Sequence, residues 1–319
     1  MAGGGRCNER KNMTPSGSRV SFTDGFVLNR NFVFVASFLV DHADSDHTRM
    51  FTFKDGHWSK YFDLQFTVRS LCGVDQPKTQ MYCVGIDGRI SVRQGGGPVE
   101  EIITDAGTGK GKYGYLHKIR QIGAHLYICG VAGQIYRREE SGWVHVDKGV
   151  LNSKGDAPAD LYSIDGAGED DIYAVGEHGM IWHFDGRIWT RMEPVTGKRL
   201  NSVRCTSSGE VYVCGGGGGV FRRRNGAWES LSLPKEEVRE FWQVEVFNGE
   251  VYLAGDNQLF RIENGKITAV DTGLKLPPDP VRLHANDGVL WSFGEKYVHF
   301  FDGGNWTYLQ HPDNPEWSS

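Results

Sequence analysis

Long helical patterns and long apolar runs are both missing from this chain of 319 residues. Helical repeats of similar size need extended stretches at a 3.6-residue period and few glycines, whereas this sequence has 43 glycines. No stretch approaches the roughly 20 apolar residues of a membrane span. Residues 1–18 are mostly Gly, Ser, Asn and charged residues without an apolar core, so no secretory signal is visible. These absences exclude helical solenoids and favour an all-β chain.

An excess of positive charge is also missing. The formal net charge is -5, which gives no general attraction to nucleic acid or to an anionic membrane. Arg222, Arg223 and Arg224 form the single basic run. On a β-strand these side chains alternate between faces, so we expect them to pair with nearby acids. Nucleic acid is therefore not a predicted partner.

Cysteine is scarce and unpaired in sequence. The six cysteines include no CxxC pair, so the usual signature of a zinc site is absent. Cys129 and Cys214 both precede a glycine that ends an apolar strand, a place where other copies of the same pattern carry Val or Ala. They are therefore predicted to be small buried hydrophobic residues. We expect reduced thiols in a cytoplasmic protein, and no cofactor.

The sequence contains a repeated motif: an apolar strand ending in Gly, a turn, a second apolar strand, a Gly turn and usually a Trp. Its clearest copy runs from Ile172 to Trp189. The strand-ending glycines are spaced by 45, 46, 39, 40 and 39 residues, and they are Gly85, Gly130, Gly176, Gly215, Gly255 and Gly294. Four short strands per roughly 40–45 residues is the size of a propeller blade.

The repeats predict an all-β, seven-bladed β-propeller with four antiparallel strands per blade. A degenerate first copy between Arg19 and Phe62 brings the count to seven. The predicted organisation is a disordered tail over 1–18, one domain over 19–312 and a short tail over 313–319. The last copy has its own outer strand, Trp306 to Gln310, so no strand exchange between the termini is expected. The repeated Trp and Tyr residues are predicted to pack between blades.

The turns resemble those of known propellers. Phe184-Asp185-Gly186-Arg187-Ile188-Trp189 and Phe301-Asp302-Gly303-Gly304-Asn305-Trp306 resemble the Asp-box turn of sialidase-like (BNR) propellers. With the preceding Val-Gly strand end, the repeat is more similar to bacterial propellers related to the photosystem II assembly factor Ycf48, over roughly residues 20–312. Other copies depart from the pattern by carrying Asn225, Asn264 or Ser141 in place of the Asp. The resemblance implies a fold, and a fold does not define a function.

Residues that the repeat does not require lie at the predicted top face, where the innermost strands begin. Those strands carry Arg69, Lys118, Arg120, Arg204, Gln243 and Arg282. The connections that open on the same face add Lys110, Lys112, Tyr113 and Lys154. We expect the inner-strand cations to lie at comparable depth and to favour a carboxylate-rich or phosphate-bearing partner. The alternative is that these arginines pair with carboxylates between blades or simply solvate a water-filled channel.

Two irregular segments also have residue types that are typical of binding sites. Thr104 to Tyr115 is rich in Gly and Lys but lacks P-loop spacing, and we predict a flexible loop that contacts a partner, next to the long connection Asp147 to Asp160. A second segment has the residue types of a metal site but no known ligand spacing. Its weak candidates for metal binding are His42, Asp44, Asp46 and His47. An exposed acidic insertion is the preferred interpretation, with no metal predicted. Gly215 to Gly219 are expected to adopt positive φ.

These features predict a non-catalytic, monomeric propeller that binds another protein, with an acidic contact surface, through its top face and basic channel mouth. An assembly factor and a toxin-neutralising immunity protein both fit this description. The alternative is a sialidase-like glycoside hydrolase or a carbohydrate-binding propeller. In that alternative Arg69, Arg204 and Arg282 hold a substrate carboxylate, and Glu245 lies on a neighbouring inner strand.

Overall fold

Seven four-stranded antiparallel sheets form the molecule, and each sheet is built from four strands that are consecutive in sequence. The computed structural model describes residues 13, 16–74, 78–151, 160–231, 233, 240–275 and 279–314. The predicted seven-bladed propeller is confirmed. Within these residues no helix is long and apolar enough to cross a membrane.

The strands of each blade run from the channel outwards in chain order. Blades 1 and 2 contain β1 (Val20–Asn29), β2 (Phe32–Leu39), β3 (Thr48–Lys54), β4 (His57–Leu64), β5 (Val68–Val74), β6 (Gln80–Gly85), β7 (Arg89–Gln94) and β8 (Gly97–Ile102). Blades 3 and 4 contain β9 (Leu116–Ile122), β10 (His125–Gly130), β11 (Ile135–Glu139), β12 (Gly142–His145), β13 (Leu161–Gly168), β14 (Asp171–Gly176), β15 (Ile181–Phe184) and β16 (Trp189–Arg191). Blades 5 and 6 contain β17 (Leu200–Cys205), β18 (Val211–Gly215), β19 (Val220–Arg224), β20 (Ala227–Ser230), β21 (Phe241–Phe247), β22 (Glu250–Gly255), β23 (Gln258–Glu263) and β24 (Lys266–Ala269). Blade 7 contains β25 (Pro280–Asn286), β26 (Val289–Gly294), β27 (Val298–Phe301) and β28 (Trp306–Leu309), and the short 3-10 turns are Val40–His42, Val131–Gly133 and Glu177–Gly179.

The turns between the third and fourth strands use two kinds of local chemistry. Asp302 Oδ1 accepts the backbone N–H groups of Gly304 at 2.8 Å and Asn305 at 2.7 Å, as in an Asx turn. In blade 5 the turn is Asn225-Gly226, with φ of 50° and 82°, values of a two-residue type I′ hairpin. The replacement of Asp by Asn in the repeat therefore marks a different turn, which Asn followed by Gly adopts readily.

The hydrophobic core is divided into clusters that lie between neighbouring blades. Each repeated tyrosine on a second strand is buried and packs into the cluster shared with the next blade; they are Tyr82, Tyr127, Tyr173, Tyr212 and Tyr252. The indole of Trp189 packs against blade 3, where its Nε1 donates to the carbonyl of Val146 at 2.8 Å. The prediction that these aromatic residues hold the blades together is confirmed.

The ring closes through contacts between blades 1 and 7, with no exchanged strand among the described residues. Asn286 Nδ2 on β25 donates to the carbonyl of Val27 at 3.1 Å, and Asn314 Nδ2 donates to that of Val20 at 2.9 Å. Gly25 on β1 lies under the ring of Phe293, where a Cβ atom would come within 2.2 Å of the ring. Side-chain amides and close packing therefore join the first blade to the last.

Candidate functional site

The innermost strands carry their charged side chains at three levels below the top face, which is the face where these strands begin. In each of blades 2 to 7 the first residue of the inner strand pairs with the strand-ending glycine, for example Val68 with Gly85 and Leu116 with Gly130. Counted from that residue, Arg69 lies one position on, Lys118, Gln243 and Arg282 lie two, and Arg120 and Arg204 lie four. The cations therefore fall into an upper group near the channel mouth, which contains Arg69, Lys118 and Arg282, and a deeper pair, Arg120 and Arg204.

At the deepest of these levels two arginines and two acids form a buried ion network: Arg120, Asp165, Arg204 and Glu245. Arg120 Nε lies 3.0 Å from Asp165 Oδ1, and Arg120 Nη2 lies 3.7 Å from Glu245 Oε2. Arg204 completes the ring, 3.2 Å from Asp165 and 2.7 Å from Glu245. Burial lowers the pKa of Arg120, but Asp165 and Glu245 outweigh that effect and raise it above its usual value. Pairing with carboxylates between blades is thus confirmed for Arg120 and Arg204.

The buried ion network removes the geometric basis for a sialidase-like site. Glu245 is 1% exposed, and Arg204 holds its carboxylate. Arg204 is held deeper in the ion network, away from Arg69 and Arg282, so the three do not form the single cluster that a substrate carboxylate requires. Glu245 has no access to a substrate at the top face.

Above the ion network lies a cationic cluster made of Arg69, Lys118 and Arg282. Lys118 Nζ lies 3.9 Å from Asp24 Oδ2, and Arg282 Nη1 donates to the carbonyl of Val281 at 3.0 Å. Neither Arg69 nor Arg282 forms an ion pair with any described residue. The cluster therefore carries more positive than negative charge.

The pKa values of the surrounding groups are lowered mainly by burial, and neighbouring cations add to the effect. Burial, followed by the charge of Arg69, lowers the pKa of Arg282 to about 10. Burial also lowers the pKa of His117 to about 4, with further contributions from Arg69 and Arg282, so this imidazole is neutral at pH 7. The pKa of Lys118 is lowered mainly by burial. Each of these shifts means that the site disfavours further positive charge.

The cationic cluster lines a central cavity of about 210 Å³ at the channel mouth. Its other lining residues are His117, Tyr162, Ser163, Arg199, Asn201, Ser202, Trp242, Gln243 and Val281. Ser163 Oγ accepts the backbone N–H of Val203, and Ser202 Oγ accepts that of Val244, both at 3.2 Å. Each serine thus accepts a backbone N–H group from the inner strand of the next blade. This pairing was not predicted, although the sequence carries a sign of it: both serines lie two positions after the first residue of their inner strand.

Two further cavities adjoin the central cavity on the top face. One, of about 510 Å³, lies between blades 1 and 2 and shares Arg69 and His117 with the central cavity. The other, of about 550 Å³, lies between blades 6 and 7 and shares Trp242 and Val281. The second cavity is acidic: its lining includes Asp256, Asp279 and Glu295. Burial raises the pKa of Asp279 to about 6. The top face therefore presents positive and negative surfaces side by side.

The Gly-Lys connection of blade 3 folds back on itself. Gly107 and Gly114 exchange backbone hydrogen bonds of 2.8 and 3.0 Å, and Lys112 Nζ donates to the carbonyl of Thr104. Lys110 and Lys112 are exposed and neither lines the central cavity, whereas Tyr113 contacts the ring of His145. Internal hydrogen bonds thus give this connection a defined conformation. Lys154 and residues 152–159 lie outside the described residues.

The acidic insertion of blade 1 makes ordinary polar contacts. Asp46 accepts a hydrogen bond from the Thr67 hydroxyl at 3.3 Å, and His47 Nε2 lies 3.8 Å from Asp63. His42 and Asp44 have exposed side chains. Within the described ranges no three His, Cys, Asp or Glu residues are grouped as metal ligands.

Two smaller predictions concern blade 5. Within the glycine run positive φ is adopted by Gly217 and Gly218, at 67° and 69°, and not by the other three glycines. In the basic run, Arg222 and Arg224 pair with Glu210 at 3.9 and 3.5 Å, and Arg223 Nη1 donates to Tyr173 at 3.2 Å. The basic run is thus paired locally.

Comparison with known proteins gives one clear relative. No protein-family model matches the chain. The immune protein Tsi7 of Pseudomonas aeruginosa is 30% identical over 306 residues, which are 93% of this chain and 98% of that protein. A similar solved structure is a catalytically inactive virginiamycin B lyase from Staphylococcus aureus with quinupristin, with a TM-score of 0.68, 12% identity and coverage of 89% and 95%. YCF48 bound to D1 peptide has a TM-score of 0.65 and 17% identity, with coverage of 90% and 94%. At these identities the two structures share the fold.

Proposed function

The chain belongs to the family of the immune protein Tsi7, and from that membership we propose that it neutralises a protein toxin by binding it through the top face. The prediction of a non-catalytic propeller agrees with this family. Membership of this family favours the immunity role over the assembly factor and over the glycoside hydrolase. Binding, and not chemistry, is then what the site has to explain.

One observation carries the choice of surface: the cationic cluster has three cations and one acid, Asp24, in a protein whose net charge is -5. A partly buried cation without a counter-ion, such as Arg282, lowers stability, so an arrangement of this kind is typical of a binding site. The exposed lysines of the blade 3 connection, Lys110 and Lys112, lie on the same face. These residues support a partner with an acidic contact region opposite the channel mouth.

Charge complementarity suits an inhibitor that must act quickly. Opposite charges across an interface raise the association rate, and they fix the orientation of the two proteins. The acidic cavity between blades 6 and 7 lies next to the cationic cluster, so a partner that carries both signs of charge is held in a single orientation.

The proposed location is the cytoplasm and the proposed state is a monomer. Cys72, Cys83, Cys129, Cys205 and Cys214 are free thiols. Burial raises the pKa of the Cys83 and Cys129 thiols to about 12, so these groups are unreactive hydrophobic residues. Free thiols are typical of a reducing compartment.

The test is neutralisation of the toxin candidate encoded beside the gene for this chain. Co-expression of the two is expected to restore bacterial growth, and the purified proteins are expected to form a complex. Combined Arg69→Ala and Arg282→Ala substitutions are expected to raise Kd by about tenfold or more, because the cationic cluster is lost. The matched control is Arg187→Ala with Arg191→Ala, which removes two exposed arginines from blade 4.

Two results would contradict the proposal. Failure of the unmodified chain to protect cells from that toxin would remove the immunity role. Protection and Kd that are unchanged in the Arg69→Ala, Arg282→Ala variant would place the interface elsewhere on the propeller.

A further inference from the structure

We infer that the central cavity is a binding site for one oxyanion group, supplied in the complex by a carboxylate of the protein partner. That the carboxylate comes from a partner rests on the proposed function. The site itself is a property of the isolated chain, so the two can be tested separately.

Positive and negative charges balance at the deeper level of the channel but not at the upper level. The buried ion network contains two arginines and two acids and is neutral. The cationic cluster directly above it has three cations, and Asp24 is its single acid among the described residues. An excess of two positive charges in a partly buried cavity is energetically unfavourable until an anion enters.

Within the part of the chain that the structure describes, the acids nearest the cluster already have partners. Asp24 is 3% exposed, and its two carboxylate oxygens accept the backbone N–H groups of Leu71 at 2.8 Å and Gly25 at 3.0 Å. Glu240 at the cavity rim is held by Arg199 at 3.2 Å. Asp165 and Glu245 belong to the buried ion network. Among the described residues no acid forms an ion pair with Arg69 or Arg282, so we assign their counter-ion to a bound anion.

The size and the hydrogen-bond donors of the central cavity match an oxyanion group. Since one water occupies about 30 Å³ of liquid, a cavity of about 210 Å³ has room for a carboxylate and a few waters. Ser163 and Ser202 each accept a backbone N–H, which leaves the hydroxyl hydrogens available as donors. Guanidinium groups, an ammonium group and hydroxyls together favour an oxyanion, which only accepts hydrogen bonds.

The experiment is thermal unfolding of the full chain in sodium acetate, in sodium phosphate and in sodium chloride at one ionic strength. Acetate at about 100 mM is expected to raise the Tm above its value in chloride by roughly 1–3 °C, since a ligand of the native state stabilises it. Arg69→Gln and Arg282→Gln are expected to abolish the increase. The control Arg191→Gln removes an exposed arginine and is expected to retain it.

A second readout tests the uncompensated charge. In chloride, Arg69→Gln is expected to unfold at the same or a higher temperature than the unmodified chain, because repulsion with Arg282 is relieved. Arg69 is exposed, so this variant is informative even if Arg282→Gln fails to fold.

The possible outcomes separate the claims. Equal Tm increases in all variants indicate a general salt effect and overturn the inference, as does a marked fall in the Tm of Arg69→Gln in chloride. An increase with phosphate alone overturns the assignment to a carboxylate. If acetate stabilises the free chain but the toxin candidate does not bind, the proposed function fails and the anion site stands.

Discussion

At the scale of single residues, the surroundings decide what an inner-strand arginine does. Arg204 and Arg282 both lie on innermost strands, yet Arg204 lies between Asp165 and Glu245, while Arg282 donates to the carbonyl of Val281 and forms no ion pair within the described ranges. The acids that pair with Arg204 come from the blades on either side of it. The first arginine joins three blades, and the second faces the central cavity, where we propose that it binds an anion.

Glu245 provides a direct test of the buried ion network. Glu245→Gln removes a buried charge from contact with Arg204 and Arg120, and loss of one partner in such a network costs about 3 kcal/mol. We expect the free energy of unfolding, measured in a denaturant titration, to fall by about that amount. The control Glu250→Gln removes the same charge from a half-exposed ion pair, which Glu250 on β22 forms with Arg261 on β23. It is expected to change the free energy of unfolding by less than about 1 kcal/mol. Equal losses of unfolding free energy in both variants would mean that the buried ion network stabilises the fold no more than an exposed ion pair does.

Sequence patterns located these charged residues but not their partners. The cations were identifiable because the repeat does not require them at those places. Their pairing depends on acids that come from other blades, as with Arg120 and Glu245. Residues 125 positions apart in sequence meet only after the ring has closed. The depth of each side chain also depended on the strand register, which a shift of one or two residues alters.

At the scale of elements, strands and turns follow from local sequence. Alternating apolar residues, strand-ending glycines and Asn-Gly or Asp-Gly turns recur in most blades, and these signals act within a few residues. The blade count and the roles of Trp189 and the repeated tyrosines were therefore predictable. The conformation of the blade 3 connection was not, because it depends on contacts with a neighbouring strand.

His145 on β12 fastens that connection to the blade. Its Nδ1 lies 2.7 Å from Asp147 and its Nε2 lies 2.7 Å from Asp105, and Asp105 also accepts the hydroxyl of Tyr136 at 3.0 Å. The hydrogen bond to Asp147 is the main cause that raises the pKa of His145 to about 9. The imidazolium therefore joins the connection to the outer strands at pH 7.

The contacts of His145 with Asp105 and Asp147 predict that the stability of the fold depends on pH. A histidine whose pKa rises from 6.5 in the unfolded chain to about 9 in the native state gives stability that is complete below pH 6.5 and lost as the pH rises through 9. We expect the difference in unfolding free energy between the unmodified chain and His145→Gln to be largest near pH 6 and to shrink towards pH 9.5. A difference that stays constant over this range would show that the charge of His145 contributes nothing.

At the scale of the whole molecule, charge is arranged in layers along the channel. A neutral ion network closes the interior, a cationic cluster lies above it, and an acidic cavity adjoins the cluster on the top face. The net charge of -5 conceals this arrangement. Because the ring brings one residue from each inner strand to the channel, small differences between blades are enough to create a site on a repeated scaffold.

The central claim is that the top face binds the toxin, and hydrogen exchange of the complex tests it most directly. Binding is expected to slow amide exchange in the connection that contains Lys110 and Lys112, in the turn that contains Gly217, and at the start of β25. The turns on the opposite face, such as Asn248-Gly249 and Asp287-Gly288, are expected to exchange as they do in the free chain. Slowed exchange confined to those opposite turns would contradict the account.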